Sequence, residues 1–194
     1  MGDIMIIKAI IQSLINIFSN NVYKNFLKVH KNINVKNDLK IFGMPLINIH
    51  KNAKLIIGEN VTINSDKYNY HISMHSPVKI VADVEKAEII IGKNSRINGA
   101  CIHSKEKIII GKNVLIAANT QIFDNNGHNI SFDNVSNRIN TKGISKPVHI
   151  EDNVWIGANS IILPGVKIGE GSIIAAGSII KTDVPKMTIF SEYI

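Results

Sequence analysis

The sequence has one cysteine, one tryptophan and few aromatic residues, which make up 6% of its 194 positions. The single thiol, Cys101, excludes an intramolecular disulfide and a metal site built from several cysteines. It lies in Asn98-Gly99-Ala100-Cys101-Ile102, which contains no nucleophile motif, so we expect a buried structural residue. Histidines at metal-ligand spacing are equally scarce, since only His71 and His75 lie close together. The sequence favours neither a disulfide-stabilised protein nor a metal-dependent one.

Long apolar runs are absent as well. The most apolar segment, residues 4–18, is interrupted by Lys8, Gln12 and Ser13, and it is too short and too polar to span a membrane. It also lacks the basic start and small-residue cleavage site of a signal peptide, so we expect a cytoplasmic protein. The segment predicts an amphipathic helix that continues to about Val29. Such a helix packs on its own domain, on a partner subunit, or peripherally on the inner face of a membrane.

Acidic residues are outnumbered, because 22 Lys and Arg against 15 Asp and Glu give a formal net charge of +7. The lysines are scattered singly, and no basic run alternates with aromatic residues. This pattern argues against nucleic-acid binding. The charge predicts only a general attraction for anionic ligands.

What the sequence does have is a period of six. Isoleucine recurs at every sixth position from residue 150, and a small or β-branched residue lies two positions before each of them: Ile150, Ile156, Ile162, Ile168, Ile174 and Ile180. The same phase occurs earlier, at Ile57 and Ile63, at Ile91 and Ile97, and at Ile110, Ile116 and Ile122. On an α-helix this spacing would scatter the isoleucines around the surface. The period therefore predicts short strands separated by tight turns.

The turns have suitable residues. Gly58-Glu59-Asn60, Gly92-Lys93-Asn94 and Gly111-Lys112-Asn113 supply glycine and asparagine at a constant place in the repeat. Stacked coils place each isoleucine over another, so that a continuous core forms although no single coil has one. We predict an all-β solenoid over residues 41–185, an N-terminal helical or irregular segment over 1–40, and a short tail over 186–194.

The period is interrupted between residues 122 and 150. Ile122 and Ile150 are 28 residues apart, which is not a multiple of six, so residues of about 124–147 must loop out. A long loop in an otherwise economical solenoid is usually functional or disordered. Of the seven histidines, only His128 lies at the root of this loop. An imidazole there is a candidate general base, because its pKa is near neutrality.

The repeat resembles the hexapeptide-repeat acyltransferase family, whose unit is an aliphatic residue, a glycine and four variable positions. The resemblance covers about residues 50–185. Its most specific parts are Asp124-Asn125-Asn126-Gly127-His128 and the later segment Asn153-Val154-Trp155-Ile156-Gly157. Within the family, the galactoside and maltose O-acetyltransferases and those that modify bacterial surface polysaccharides are the most similar. The resemblance implies a left-handed parallel β-helix with three hexapeptides in each coil. It also implies homotrimers with active sites between subunits.

The resemblance also implies residue roles. His128 is the catalytic base, and the backbone N–H of Ala158 is the donor to the oxyanion. Acetyl-CoA, as a co-substrate that needs no metal, is implied to contact Trp155, Gly157, Ala158, Ala176, Lys181 and Thr182. The acceptor is implied to contact Asn98, Asp124 and Trp155. The chain departs from the family by having Lys181-Thr182 in inverted order and a short segment after Pro185, so we expect a more open or weaker coenzyme site.

The predicted function is acetyl-CoA-dependent O-acetylation of a saccharide hydroxyl, in capsule, lipopolysaccharide or a related surface glycan. The alternatives are N-acetylation of a nucleotide-linked amino sugar and acetylation of an antibiotic. A non-catalytic solenoid is less favoured. A γ-carbonic-anhydrase-like enzyme is also less favoured, because His71 and His75 have no third histidine in a convincing relation to them.

Overall fold

A computed structural model describes residues 11, 14, 20–25, 27 and 29–191. The described residues up to 29 are helical. Most of the predicted helix over 4–18 lies outside the described residues. Near the end of the helical region, Leu27 is fully buried in the core, and the Asn20 side-chain oxygen accepts a hydrogen bond from the Ile41 N–H. This part of the helix therefore packs on the solenoid. Among the described residues, no helix combines the length and apolar character needed to cross a bilayer.

The described residues form a parallel β-solenoid of three sheets. Sheet A contains β1 (Ile33–Val35), β4 (Lys54–Ile57), β7 (Glu88–Ile91), β10 (Lys107–Ile110), β13 (Val148–Ile150) and β16 (Lys167–Ile168). Sheet B contains β2 (Lys40–Phe42), β5 (Thr62–Asn64), β8 (Arg96–Asn98), β11 (Leu115–Ile116), β14 (Trp155–Ile156), β17 (Ile173–Ile174) and β19 (Ile189–Phe190). Sheet C contains β3 (Leu46–Ile49), β6 (Lys79–Ala82), β9 (Cys101–Ser104), β12 (Gln121–Phe123), β15 (Ile161–Ile162) and β18 (Ile179–Ile180).

Each coil runs through the sheets in the order A, B and C, so the solenoid is triangular with three rows of corners. We call them the AB, BC and CA corners after the sheets that they join. The predicted left-handed parallel β-helix is confirmed. The first strand, β1, begins before the predicted start at residue 41, and β19 lies beyond the predicted end at 185.

The isoleucine period produces the core. In sheet A, five isoleucines are register partners from one coil to the next and are almost completely buried: Ile57, Ile91, Ile110, Ile150 and Ile168. Full burial of such a side chain contributes about 2 kcal/mol to folding. Since each coil covers the apolar side of its neighbour, the stability arises mainly between adjacent coils.

The AB corners are joined by a row of asparagines. Asn60, Asn94, Asn113 and Asn153 all have positive φ, between 53° and 62°, a conformation that asparagine tolerates better than most residues. Each side-chain amide donates to the oxygen of the next one, at 2.9–3.1 Å. The row begins where the Lys40 ammonium donates to Asn60 and ends where Asn153 donates to the Glu170 carboxylate.

Two long segments leave the coils. β12 ends at Phe123 and β13 begins at Val148, so the later excursion occupies 124–147, and it contains a 3-10 helix over Val135–Asn140. The other excursion was not predicted. It occupies 65–78 at a BC corner, where β5 ends at Asn64 and β6 begins at Lys79. The 28-residue gap between Ile63 and Ile91 is the sequence signal for it.

Candidate active site

His128 lies at the neck of the 124–147 loop, where hydrogen bonds join the two ends of the loop. The Asn125 amide donates to the Gly143 carbonyl at 3.0 Å and to the Ser145 hydroxyl at 2.9 Å. The Gly143 N–H donates to the Gly127 carbonyl at 3.0 Å, and the Gly127 N–H donates to the Asn125 side-chain oxygen at 2.6 Å. The position of His128 is therefore set by the closed neck of the loop and not by its tip.

The imidazole of His128 is exposed, and one of its nitrogens is engaged. Nδ1 lies 3.3 Å from the backbone oxygen of Thr141. A carbonyl oxygen can only accept a hydrogen bond, so Nδ1 carries the proton and Nε2 has the free lone pair. The Thr141 hydroxyl accepts from the Asn129 N–H at 2.8 Å and donates to the Arg138 carbonyl at 2.7 Å. This arrangement orients an imidazole that can accept a proton at Nε2.

The His128 side chain borders a cavity of about 220 Å³ at the CA corner. The cavity also contains Lys146, which precedes β13, and Lys181, which follows β18. Leu163 and Pro164 form its apolar wall. Neither lysine makes an ion pair with another described residue. The structure thus brings two of the predicted site residues, His128 and Lys181, into one cationic cavity. Thr182 is the exposed residue that follows Lys181.

The other predicted coenzyme residues lie on sheet B and at the BC corners. Trp155 is 50% exposed on the outer face of sheet B, between its register partners Leu115 and Ile173. Gly157 is packed so closely that an added Cβ would lie 2.5 Å from the Ala176 nitrogen. This close approach is why a side chain does not fit at residue 157.

Ala158 has a nearly buried side chain, and its carbonyl accepts from the Gly177 N–H at 2.8 Å. Its own N–H has no hydrogen-bond partner among the described residues. One coil earlier, Tyr70 reaches the backbone of Ala118 at the equivalent corner position. Burial raises the pKa of Tyr70, while the Arg96 charge and the hydrogen bond with the Ala118 backbone oppose that rise. The Ala158 donor remains available to an oxyanion.

Asn98 and Asp124, which were predicted to contact the acceptor, are both buried and hydrogen-bonded within the fold. Asn98 is 1% exposed, and its amide donates to the Ile116 carbonyl at 2.9 Å. Asp124 is completely buried, and its carboxylate accepts from the Ser104 hydroxyl at 2.7 Å and from the Lys105 and Glu106 N–H groups at 2.7 and 2.9 Å. Because every hydrogen bond of its carboxylate goes to the preceding coil, Asp124 anchors the loop to that coil.

Cys101 differs from the expectation of a buried residue. Its side chain is half-buried on the outer face of sheet C, where it borders a cavity of about 450 Å³ with His75 and Asn119. Burial raises the pKa of this thiol, and the nearby Lys79 charge opposes the rise. A raised pKa disfavours the thiolate, so the placement gives no support to a nucleophilic role.

The described residues contain no group of three His, Cys, Asp or Glu side chains placed to hold a metal ion. His71 lies against Tyr70 with ring centroids 4.5 Å apart, and the His75 backbone N–H donates to the Asn119 side chain. Both histidines belong to the 65–78 excursion, which sequence reasoning did not identify as a loop.

Within one chain, the predicted site is divided. His128 and Lys181 lie at the CA corner, whereas Gly157, Ala158 and Ala176 lie at the BC corners. Sheet C separates these two rows of corners. A single copy of the chain therefore does not bring the predicted base and the predicted oxyanion donor together.

Comparisons with known proteins agree with this fold. The family model for the bacterial transferase hexapeptide (six repeats) matches residues 147–182. A galactoside O-acetyltransferase of Lactococcus lactis is 33% identical over 138 residues, covering 62% of this chain and 66% of that protein. A galactoside O-acetyltransferase of Escherichia coli is 40% identical over 100 residues, covering 51% of this chain and 47% of that protein. The chain spans about half the length of the curated relatives it matches, from 38% to 66%.

A solved structure matches over most of the chain. It is a mutant of an N-acyltransferase from Bacillus cereus, in complex with CoA and dTDP-4-amino-4,6-dideoxyglucose, with a TM-score of 0.60 and 20% identity over 87% of this chain and 84% of that one. At this identity the likeness shows the fold alone. The coils, corners and period together define a left-handed parallel β-helix protein. Residues 147–182 match the bacterial transferase hexapeptide repeat, and the chain is similar to acetyltransferases built from it.

Proposed function

We propose that the protein is an acetyl-CoA-dependent O-acetyltransferase that acts on a saccharide hydroxyl. The observation that carries this proposal is the placement of His128, whose Nδ1 lies against the Thr141 carbonyl and whose side chain lines a cavity with two lysines. The similarity to two galactoside O-acetyltransferases supports hydroxyl acylation. The free N–H of Ala158 supplies the second element that acyl transfer needs.

The proposed reaction is a direct transfer without an acyl-enzyme. His128 Nε2 removes the proton from the acceptor hydroxyl as its oxygen attacks the thioester carbonyl. The Ala158 N–H stabilises the negative oxygen of the tetrahedral intermediate. The C–S bond then breaks, the new ester remains on the acceptor, and the imidazolium returns its proton to the CoA thiolate. Lys146 and Lys181 provide positive charge for the phosphate groups of the coenzyme.

We propose a homotrimer in which the CA corner of one subunit faces sheet B and the BC corner of the next. Two observations support this arrangement. The base and the oxyanion donor lie at different corners of one chain. The 124–147 loop also carries large apolar side chains that its own chain leaves uncovered, including Ile130, Phe132 and Ile139, which are 70%, 85% and 78% exposed. Exposed apolar clusters of this kind usually mark protein interfaces.

The first experiment measures thiol release from acetyl-CoA with a panel of surface polysaccharides, neutral and acidic oligosaccharides and nucleotide sugars, followed by mass spectrometry of the product. His128→Asn should lower the rate about 10²–10⁴-fold, the usual contribution of a general base. The matched control is His50→Asn, because His50 lies at the same row of corners but in the first coil. Full activity of His128→Asn, or no thiol release by the wild type with any acceptor, would refute the proposal.

A complementation experiment tests the division between subunits. His128→Asn and Ala158→Pro are each expected to be inactive, and random co-assembly of equal amounts should restore about a quarter of the wild-type activity, since mixed cyclic trimers regain one intact site of three. Trp155→Arg replaces Ala158→Pro if the proline variant does not fold. Absence of any restored activity in trimers shown to be mixed would place both residues in a site within one subunit or outside the site altogether.

A further inference from the structure

A cavity larger than the one at His128 lies on the outer face of sheet B in the first three coils. Its volume is about 540 Å³. Lys40, Thr62 and Arg96 are register partners along its floor, one from each coil. The 65–78 excursion contributes its wall through Asn69, Tyr70 and His71, and none of these residues was predicted to have a function.

The two cations in this cavity are available to a ligand. The Arg96 guanidinium makes neither a hydrogen bond nor an ion pair with any described side chain or backbone group. The Lys40 ammonium donates to the Asn60 side chain at 2.9 Å, which leaves two of its three protons. Guanidinium groups match carboxylates and phosphates through paired hydrogen bonds. An unengaged arginine beside a lysine is therefore suited to an anionic group.

The carboxylate of Asp66 also lines this cavity, but its oxygens are engaged in hydrogen bonds. Asp66 is 6% exposed. One of its oxygens accepts from the Tyr68 and Asn69 N–H groups at 3.2 and 3.3 Å, and the other accepts from the Asn69 amide at 2.7 Å. These bonds direct the carboxylate into its own turn. Asp66 lowers the net positive charge of the cavity, but Arg96 and Lys40 still supply hydrogen-bond donors to an anionic group.

The remaining lining fits a saccharide. Phe42, Tyr70 and His71 offer ring faces on which the apolar side of a pyranose can pack, and Thr62 and Asn64 offer hydrogen-bonding groups to its hydroxyls. Asn64 is itself held by its amide, which donates to Asn98 at 3.3 Å. Asn98, the register partner of Asn64, also lines the cavity although it is almost completely buried.

The cavity is also connected to the predicted chemistry. Tyr70, which forms part of its wall, lies close to the backbone of Ala118 at a BC corner. Ala118 and Ala158 occupy the same corner position in successive coils. The Ala118 carbonyl accepts from the N–H of Asn159, which follows Ala158, and the Ala158 carbonyl accepts from Gly177 in the next coil. A chain of sugars bound in the cavity can therefore extend along sheet B towards the Ala158 corner.

We propose that the acceptor is an acidic saccharide, and that Arg96 with Lys40 binds its carboxylate or phosphate in this cavity. That the bound saccharide is the acceptor rests on the proposed function, but its binding can be measured without catalysis. Arg96 is then a residue that determines specificity and not a catalytic one.

Isothermal titration calorimetry on the full chain tests the binding. The probes are a hexuronate oligosaccharide, the same oligosaccharide with its carboxyl groups reduced to alcohols, a hexose phosphate and a nucleotide sugar. We expect the hexuronate or the phosphate to bind at least about tenfold more tightly than the reduced oligosaccharide, and Arg96→Gln to abolish that difference. The probe that shows the difference identifies which anion is recognised. The matched control is Lys54→Gln, because Lys54 is exposed on sheet A.

Equal binding of acidic and reduced oligosaccharides, or unchanged discrimination in Arg96→Gln, would overturn the inference. The kinetic readout is separate: Arg96→Gln should raise KM for the acidic acceptor at least about tenfold with kcat nearly unchanged. A wild type that discriminates by charge in calorimetry but releases no thiol with any acceptor would refute the proposed function and leave the acid-binding cavity standing. Thiol release with neutral acceptors alone would refute the acidic acceptor and leave the transferase standing.

Discussion

The two excursions from the solenoid begin alike and end differently. Each has a buried aspartate at its root, Asp66 in the 65–78 loop and Asp124 in the 124–147 loop. The 65–78 loop packs back on its own chain: Met74 is buried, and the Asn119 side chain bonds to the Ser73 carbonyl and the His75 N–H. The 124–147 loop is tied only at its neck, and its 3-10 helix contains no buried residue.

This difference separates two ways in which a solenoid obtains a site. The 65–78 loop completes a cavity against sheet B of the same chain. The 124–147 loop holds His128 in place but leaves its apolar side chains in solvent, so under the proposed function a neighbouring subunit must complete it. Under that proposal, one loop is completed by its own chain and the other by a neighbouring subunit.

The two root aspartates offer the sharpest comparison. Asp124→Asn should lower the free energy of unfolding by about 3 kcal/mol, because an amide NH₂ would face backbone N–H donors of the preceding coil in a buried position. Asp66→Asn should cost about 1 kcal/mol, because the Tyr68 and Asn69 N–H groups that donate to Asp66 belong to its own turn. Urea unfolding of both variants measures this, and equal losses would contradict the distinction between an inter-coil and a local anchor.

Removing the apolar surface of the later loop should affect assembly more than folding. Phe132→Ser with Ile139→Ser should lower acetyl transfer about hundredfold and shift the mass measured by light scattering towards a monomer, since a few buried apolar residues usually dominate an interface. Tyr68→Ser with Ile72→Ser is the matched pair on the 65–78 loop. An unchanged mass for the Phe132 and Ile139 variant would show that this loop is not part of an interface.

Two glycines, one beside or within each loop, allow the cost of backbone strain to be compared with the cost of a side-chain clash. Gly99 and Gly127 both have positive φ, +48° and +81°, but an added Cβ at Gly99 would meet the Met74 side chain at 2.4 Å, whereas nothing lies within 4 Å at Gly127. Gly99→Ala should therefore cost about 2 kcal/mol and loosen the 65–78 loop, and Gly127→Ala about 1 kcal/mol from backbone strain alone. Thermal unfolding and limited proteolysis measure both effects. The reverse order would mean that Met74 does not hold the loop.

The smallest expected effect concerns the positioning of His128. Thr141→Val removes the hydroxyl that fixes the Thr141 turn, and we expect kcat to fall about fivefold, as for loss of one neutral hydrogen bond, with KM unchanged. Thr141→Ser should restore the rate and the pH profile, and Thr188→Val is a control far from the loop. A rate in Thr141→Val equal to that of the wild type would show that the Thr141 carbonyl is held by the backbone alone.

The period of six made the fold predictable because its physical cause is local: one large aliphatic residue in each short strand and a turn residue at each corner. The limits of the 124–147 loop were also implied by the period, since Ile122 and Ile150 are out of phase. The role of Asp124 was not predictable, because a carboxylate beside a loop has the same sequence signal whether it faces a ligand or the previous coil. Its burial follows from stacking, which depends on residues 104–106.

The cavity of Arg96 was hidden for a different reason. Its floor comes from three coils and its wall from an excursion at a BC corner, so Lys40, Tyr70 and Arg96 are distant in sequence and share no motif. The spacing of the isoleucines does indicate the excursion, because Ile63 and Ile91 are out of phase in the same way as Ile122 and Ile150. Likewise, spacing along one chain gives no indication of which corners face each other in an assembly, so the division between His128 and Ala158 emerged only from the fold.

The asparagine row at the AB corners has a direction. Every amide donates towards the carboxyl end of the chain. In a row made of asparagines alone, a further asparagine could be added at either end, so nothing in such a row would limit its length. Lysine can only donate and glutamate can only accept. With Lys40 at one end and Glu170 at the other, the row can be extended in neither direction. The direction of these hydrogen bonds thus limits the length of the row. A second solenoid stacked end to end would meet Lys40 or Glu170 and not an asparagine amide.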